Sequence, residues 1–273
     1  MRERPPLRVV VRGTGDVGSA VAHRLFLAGD FVVIHEAPQP TATRRGMAFA
    51  DAVFDGHAVL EGVRAVGVND LRDLSSTLLA RAVIPVVIID LAETLNVLRP
   101  EVLVDARMRK RASPEVQLGL APLTIGLGPG FVAGETTHFV VETSWEALGR
   151  VVTSGSALAF AGEPRSIGGF RRERYVYAPV GGVFRTTFQI GDRLQTGEVI
   201  AQIGSASLAA PLAGVIRGLT RDGVPVSVGT KVIEIDPRSD MPIVRGIGER
   251  PARIADGVLE TIQLWLKEHR SKA

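Results

Sequence analysis

An apolar, β-branched run meets a glycine turn and then a helix-compatible stretch. It reads Val9-Val10-Val11-Arg12-Gly13-Thr14-Gly15-Asp16-Val17-Gly18, with Val17, Val21, Ala22 and Leu25 at helical spacing. A Gly-x-Gly-x-x-Gly pattern alone is common, but strand, turn and helix in this order form the dinucleotide-binding fingerprint. Gly13 permits the tight turn, Gly15 lets a phosphate approach the backbone, and Gly18 lets the helix pack close on the strand. The helix N-terminus then offers unpaired amides and a partial positive charge to an anion. The alternative is a turn whose glycines serve packing alone.

The residues that follow extend this into an α/β, Rossmann-like domain with a mostly parallel sheet over 1–149. Gly29-Asp30 closes the first helix, and residues 31–35 form a second buried strand ending at Glu36. Glu36 lies near the offset at which an acidic residue accepts ribose hydroxyls; it also suits the polar end of any strand. Pro38-Gln39-Pro40 breaks the chain, and Thr41 or Thr43 is a suitable N-cap for a short helix through Ala48, Phe49, Ala52 and Val53. Arg44 and Arg45 can read a phosphate or carboxylate in bidentate fashion, or make surface salt bridges. Residues 57–68 read as a short strand segment and 70–82 as a helix started by Asn69. The continuous apolar runs at 85–90 and 102–105 read as strands covered on both faces, with a crossover helix at 91–98 between them.

A further apolar strand at 123–125 enters a second glycine turn, Gly126-Leu127-Gly128-Pro129-Gly130-Phe131. In a parallel sheet both turns lie at the carboxyl edge, so their amides can converge on one phosphorylated ligand. If Gly128-Pro129-Gly130 is only a sharp turn, that convergence disappears. Asp16, Asp105, His138 and Glu142 are general-acid candidates only by their position at predicted strand ends. Residues 137–143 read as the last strand, where His138 and Glu142 face one side. No third ligand completes a metal site there, and His23, His35, His57 and His269 show no ligand spacing.

Residues 150–174, rich in Gly, Ser, Pro and Arg, read as a connection. Over 175–237 the chain repeats itself. Ala178-Pro179-Val180-Gly181-Gly182-Val183 returns as Ala210-Pro211-Leu212-Ala213-Gly214-Val215, and Gly197-Glu198-Val199-Ile200 returns as Gly229-Thr230-Lys231-Val232, both at an offset of 32 residues. Short β-rich pieces separated by Gly191-Asp192 and Asp222-Gly223 predict two copies that interlock into a small sandwich. The pattern resembles the biotinyl and lipoyl carrier domains, the barrel-sandwich hybrid. Those carriers present an attachment lysine on a hairpin, whereas here the hairpin reads Gly204-Ser205-Ala206-Ser207-Leu208-Ala209 and Lys231 falls elsewhere. The expectation is therefore no biotin and no lipoate. In the last segment, 238–273, a helix beginning at Pro251 carries Ile254, Val258, Ile262 and Trp265 on one stripe. It should pack on the first domain; a partner-binding helix is the alternative.

Composition excludes several function classes. A net charge of +3 with four lysines in all gives no broad electrostatic footprint for nucleic acid. The one dense basic cluster, Arg107-Met108-Arg109-Lys110-Arg111, reads as a solvated loop. Cysteine is absent, so there is no disulfide, Cys-based metal site or thiol nucleophile, and no covalent sulfur or selenium relay on the protein. The N-terminus lacks the apolar core of a signal peptide, and no apolar stretch approaches a membrane span. The expected location is cytoplasmic, without membrane contact.

Nearly the full length resembles the YqeB-type accessory proteins associated with selenium-dependent molybdenum hydroxylases. The resemblance rests on Val11-Arg12-Gly13-Thr14-Gly15-Asp16, Glu36-x-Pro38-Gln39-Pro40-Thr41-x-x-Arg44-Arg45, Leu103-Val104-Asp105-Ala106-Arg107, Ile125-Gly126-Leu127-Gly128-Pro129-Gly130-Phe131, Gly155-Ser156-Ala157-Leu158, Ile167-Gly168-Gly169 and Glu249-Arg250-Pro251. It implies maturation of a molybdenum hydroxylase client without naming a reaction. A molybdopterin-type dinucleotide, or another nucleotide, carries phosphates suited to the two turns and the arginine pair. The expected ligand contacts are Gly13, Thr14, Gly15, Asp16, Gly18, Glu36, Arg44, Arg45, Asp105, Gly126, Gly128 and Gly130. An NAD(P)-dependent oxidoreductase using the same turn and a non-catalytic scaffold for a client enzyme are the two other readings.

Overall fold

The computed structural model describes residues 4–109, 113–159, 162, 164–238 and 243–270. Lys110 and Arg111 of the basic cluster and the first three residues of the chain lie outside these. The first domain runs β1 (Arg8–Arg12), α1 (Asp16–Leu27), β2 (Phe31–His35), α2 (Asp51–Asp55), β3 (His57–Leu60), β4 (Val63–Val68), α3 (Leu71–Ala80), β5 (Ile84–Val87), α4 (Leu91–Leu98) and β6 (Val102–Asp105). It continues with β7 (Leu123–Leu127), β8 (Val132–Ala133), β9 (Phe139–Val141), β10 (Val151–Val152) and β11 (Gly155–Ser156).

Nine of these strands form one sheet, ordered β10-β9-β7-β6-β1-β2-β5-β4-β3. Strands β4 to β9 that neighbour one another, together with β1 and β2, pair in parallel; only the β3 and β10 edges are antiparallel. The middle six strands, β5-β2-β1-β6-β7-β9, follow the 3-2-1-4-5-6 order of a doubly wound nucleotide fold, whose direction reverses between β1 and β6. Alternate residues of the same strands feed two cores. Val9, Val11, Val32 and Ile34 pack under α1, and Val10, Val33, Val87 and Leu103 under α3 and α4. Burial on both faces explains why these strands read as unbroken apolar runs.

Several local expectations shift. Residues 57–68 are a hairpin rather than one segment, because Glu61 and Gly62 both take positive φ (44° and 80°) and turn the chain tightly. Asp70, not Asn69, caps α3 through its side chain. The helix expected from Thr41 or Thr43 is reduced to a 3-10 turn at Arg45–Met47 and the short α2. The Thr43 carbonyl is taken by the Leu219 amide of the second domain, so this segment serves the domain seam. The sheet runs past 149 into β10, and the strand expected over 137–143 is confined to β9.

The second domain comprises β12 (Tyr175–Tyr177), β13 (Gly182–Arg185), β14 (Arg193–Leu194), β15 (Val199–Ile203), β16 (Ala206–Ala209), β17 (Gly214–Leu219), β18 (Pro225–Val226) and β19 (Lys231–Asp236). Its two sheets, β12-β19-β17-β14 and β16-β15-β13-β18, exchange a strand each: β14 of the first repeat pairs with β17, and β18 of the second with β13. The repeats are thus interlocked, as neither could bury its apolar face alone. Gly191 and Gly223, and Gly197 and Gly229, share positive φ at matching places (102° and 84°; 84° and 77°). The chain then returns to the first domain as α5 (Glu249–Arg270), whose Ile254, Val258 and Ile262 are fully buried in the core beside α1. Among the described residues no helix is long and apolar enough to cross a membrane.

Candidate functional site

The first glycine turn leaves β1 at the β1/β6 reversal. Gly13 takes φ +107°, and a Cβ there would lie 3.1–3.2 Å from the Ala106 and Arg107 backbone after β6. A Cβ on Gly18 would sit 2.1 Å from the Gly13 carbonyl, so only glycine lets α1 close on the strand. Gly15 differs: nothing lies within 4 Å of a Cβ there, and as N-cap of α1 it supplies no side-chain cap. Space therefore opens in front of the helix amides where the motif requires it. Glu36 faces the same turn. Its Oε2 accepts the Thr14 amide (2.6 Å) and hydroxyl (2.7 Å), and Oε1 accepts the Ala37 amide (2.8 Å). With about four lone-pair sites on a carboxylate, Glu36 is oriented by the loop and retains acceptor capacity.

Asp16, the first residue of α1, accepts Arg44 Nη1 at 2.8 Å. Arg44 also donates Nε and Nη2 to Glu234 of β19, both at 2.9 Å. Arg44 is thereby a strap between the glycine turn and the β module. Glu234 is completely buried and also receives Arg174 Nη1 (2.7 Å) and Lys231 Nζ (2.8 Å), with Arg217 Nε 3.4 Å away. Burial opposes the charge on Glu234, but Lys231 and Arg44 outweigh it and hold the carboxyl well below its usual range. The same opposition leaves Asp16 lowered by Arg44, and burial lowers Lys231 despite Glu234. Arg250, at the start of α5, donates Nε to the Thr143 carbonyl (3.0 Å); burial lowers its pKa although Asp16 pulls the other way. Helices α1 and α5 pack together, with Arg24 of α1 bonded to Asp256 of α5 and Arg250 within electrostatic reach of Asp16.

The remaining expected residues separate. Arg45 turns away to Asp51 (2.7 Å) and the Leu219 carbonyl (2.9 Å), beside an open groove along the domain seam walled by Arg221 and Arg245. Asp105 is buried at the end of β6, where Arg107, Gln117 and Arg12 all donate to its carboxylate. The second turn also sits at the carboxyl edge, one strand beyond β6. Its glycines are filled, however: a Cβ on Gly126 would meet the Phe131 ring at 2.3 Å, and one on Gly128 the Thr143 hydroxyl at 2.4 Å. Gly130 takes φ +93°. Close packing thus explains Gly126 and Gly128. A small cavity remains beside the turn, lined by Asp105, Arg109, Leu127, Pro129 and Phe131. His138 Nδ1 accepts the Thr124 amide (3.0 Å), and Glu142 accepts the amides of Thr143, Ser144 and Leu158. Among the described residues no group of His, Asp or Glu is placed to hold a metal ion.

Lys231, Glu234 and Arg250 escaped sequence reasoning as site residues. The repeat carried a usable signal: Lys231 and Glu234 stand where the first copy has Val199 and Gln202.

No family model matches the chain. It is homologous to the Escherichia coli (strain K12) protein named "Uncharacterized protein YqeB", with 39% identity over 263 residues, 95% of this chain. It spans about half of that relative, 48% of its length. Among solved structures, the ectoine utilization protein EutE (DoeB) from Ruegeria pomeroyi aligns at 11% identity and TM-score 0.27, over 85% of this chain and 86% of that one. A succinylglutamate desuccinylase/aspartoacylase from Rhodobacter sphaeroides aligns at 16% identity and TM-score 0.27, over 86% and 87%. At such scores the overlap carries no argument.

Proposed function

We propose that this YqeB homologue is an accessory protein that holds a nucleotide-type ligand at the first glycine turn. The observation that carries the reading is the pairing of open space at Gly15 with the Glu36 carboxylate, locked onto Thr14 beside it, at the reversal point of the sheet. The α1 amides would receive a phosphate, and Glu36 a ribose hydroxyl. Gly13 and Gly18 shape the turn, while Arg44 stands at its mouth with three of its five N–H groups engaged by carboxylates. A molybdopterin-type dinucleotide, handed to a molybdenum hydroxylase client, is the ligand that the family resemblance supports; bound there, it would bring a diphosphate to the turn. Arg45, Gly126 and Gly128 have other work at the domain seam and in packing, and are not assigned to the ligand.

Titration of the purified protein with CTP, CDP and NADH, followed by calorimetry, tests the reading. Micromolar binding of a cytidine nucleotide that Glu36→Gln weakens is the expected result. Tight binding of NADH alone would shift the assignment to an NAD(P)-dependent oxidoreductase, and binding of none to a scaffold.

A further inference from the structure

The β module carries a charge cluster that its own fold does not require. Strand β15 of the first repeat is the counterpart of β19, 32 residues on, and the two occupy equivalent places in the two sheets. Where β15 has Val199 and Gln202, β19 has Lys231 and Glu234. One repeat thus builds the same strand without these charges. They occur only in the copy turned toward the first glycine turn.

The cluster is also unbalanced. Arg44, Arg174, Arg217 and Lys231 surround one buried carboxylate, Glu234, and Arg250 approaches from α5. Asp16, Asp236 beside Arg217, and Glu142 acting on Arg250 are the other carboxylates in reach. Asp236 is itself bonded to Arg238. Cations therefore outnumber carboxylates in a partly desolvated place, an arrangement that favours a bound anion. Lys231, Arg44 and Asp16 each retain about a quarter of their side-chain surface (29%, 23% and 22%), so they are half-buried and open to solvent rather than core. The Lys231 ammonium lies 4.6 Å over the Tyr175 ring, which fixes its position.

We infer that Lys231, Arg44 and Arg250 form a phosphoryl-binding subsite between the β module and the first glycine turn, so that the module closes over the phosphates of a nucleotide-type ligand. The inference rests on the reading that such a ligand occupies the turn, and it gives the module a binding role in place of the carrier role that its hairpin lacks a lysine for. Lys231 and Arg250 supply charge-assisted hydrogen bonds to the anion, and Arg44 joins them from the linking strap.

Calorimetry with inorganic pyrophosphate and with CDP, on the full chain and on Lys231→Val and Arg250→Gln, tests it. Valine is the residue of the equivalent position in β15, and Glu234 retains Arg44 and Arg174 as partners. Wild-type protein should bind pyrophosphate with an affinity that falls steeply with salt. Each variant should lose about tenfold or more for pyrophosphate and CDP alike, while a cooperative melting transition shows that it is still folded. CDP binding that both folded variants keep unaltered overturns the subsite and leaves the turn's role intact. Pyrophosphate binding lost in the variants, with no CDP binding by any form, supports the subsite and removes the nucleotide reading. Failure of wild type to bind either probe overturns both. If Lys231→Val does not fold, Arg250→Gln alone decides.

Discussion

Gly15→Ser separates ligand binding from folding at the turn. Gly15 has φ −62° and ψ 174°, an extended conformation that serine adopts freely, and its Cβ would enter empty space. Serine is a better N-cap than glycine by a few tenths of a kcal/mol. For a chain of this length that raises the melting temperature by about 1 °C. The same hydroxyl bonds an α1 amide and the new Cβ stands where a phosphate must approach. An anion at a helix end contributes about 0.3–2 kcal/mol, and each hydrogen bond to a charged group about 1.5–3 kcal/mol. CDP affinity should therefore fall about 10- to 100-fold. Gly18→Ala provides the contrast. Its Cβ would lie 2.1 Å from the Gly13 carbonyl and 3.3 Å from Ala106 Cβ, so the helix must move, at a cost of about 1–3 kcal/mol and a clear drop in melting temperature. Differential scanning calorimetry and isothermal titration on both variants measure the two effects. A Gly15→Ser protein that melts like wild type and binds CDP within about twofold of it would refute phosphate binding at these amides.

Three further outcomes follow from the charge cluster and the module. Glu234→Gln should destabilise by about 3–5 kcal/mol, because Arg44, Arg174 and Lys231 lose their common buried carboxylate; urea denaturation reads this, and a loss below about 1 kcal/mol would refute the buried network. Asp16 and Glu234 hold their carboxyls below ordinary values, so in acid the folded chain binds fewer protons than the unfolded one. The stability they lend is complete above about pH 5 and is lost as pH falls through their folded values; Glu234→Gln should flatten that slope in urea titrations between about pH 3 and 7. Intact mass spectrometry of protein from its source should show no biotin or lipoate adduct, since the β15–β16 turn carries Gly204 and Ser205 and Lys231 lies on β19; an adduct on any lysine would refute this.

Much of the architecture was legible because it depends on local rules. The β-branched run before Gly13, the two-sided burial of Val102–Asp105, the apolar stripe of α5 and the 32-residue repeat each announce an element or its packing, and the structure has them. The sequence alone also located the first turn, since Gly13 and Gly18 answer steric demands set within a few residues. Tertiary structure decided what the neighbouring groups do. Arg44 and Arg45 are adjacent in the chain, yet Arg44 reaches Asp16 and Glu234 while Arg45 turns to Asp51. Gly126 and Gly128 resemble a phosphate loop until Phe131 and Thr143 fill the space that a ligand needs. Lys231 and Arg250 come within electrostatic reach of Asp16 from 215 and 234 residues away, through the docking of the module and the return of α5. Local sterics act through neighbouring residues and are written in their order; long-range electrostatics depend on which surfaces the fold brings together, and only the folded chain fixes that.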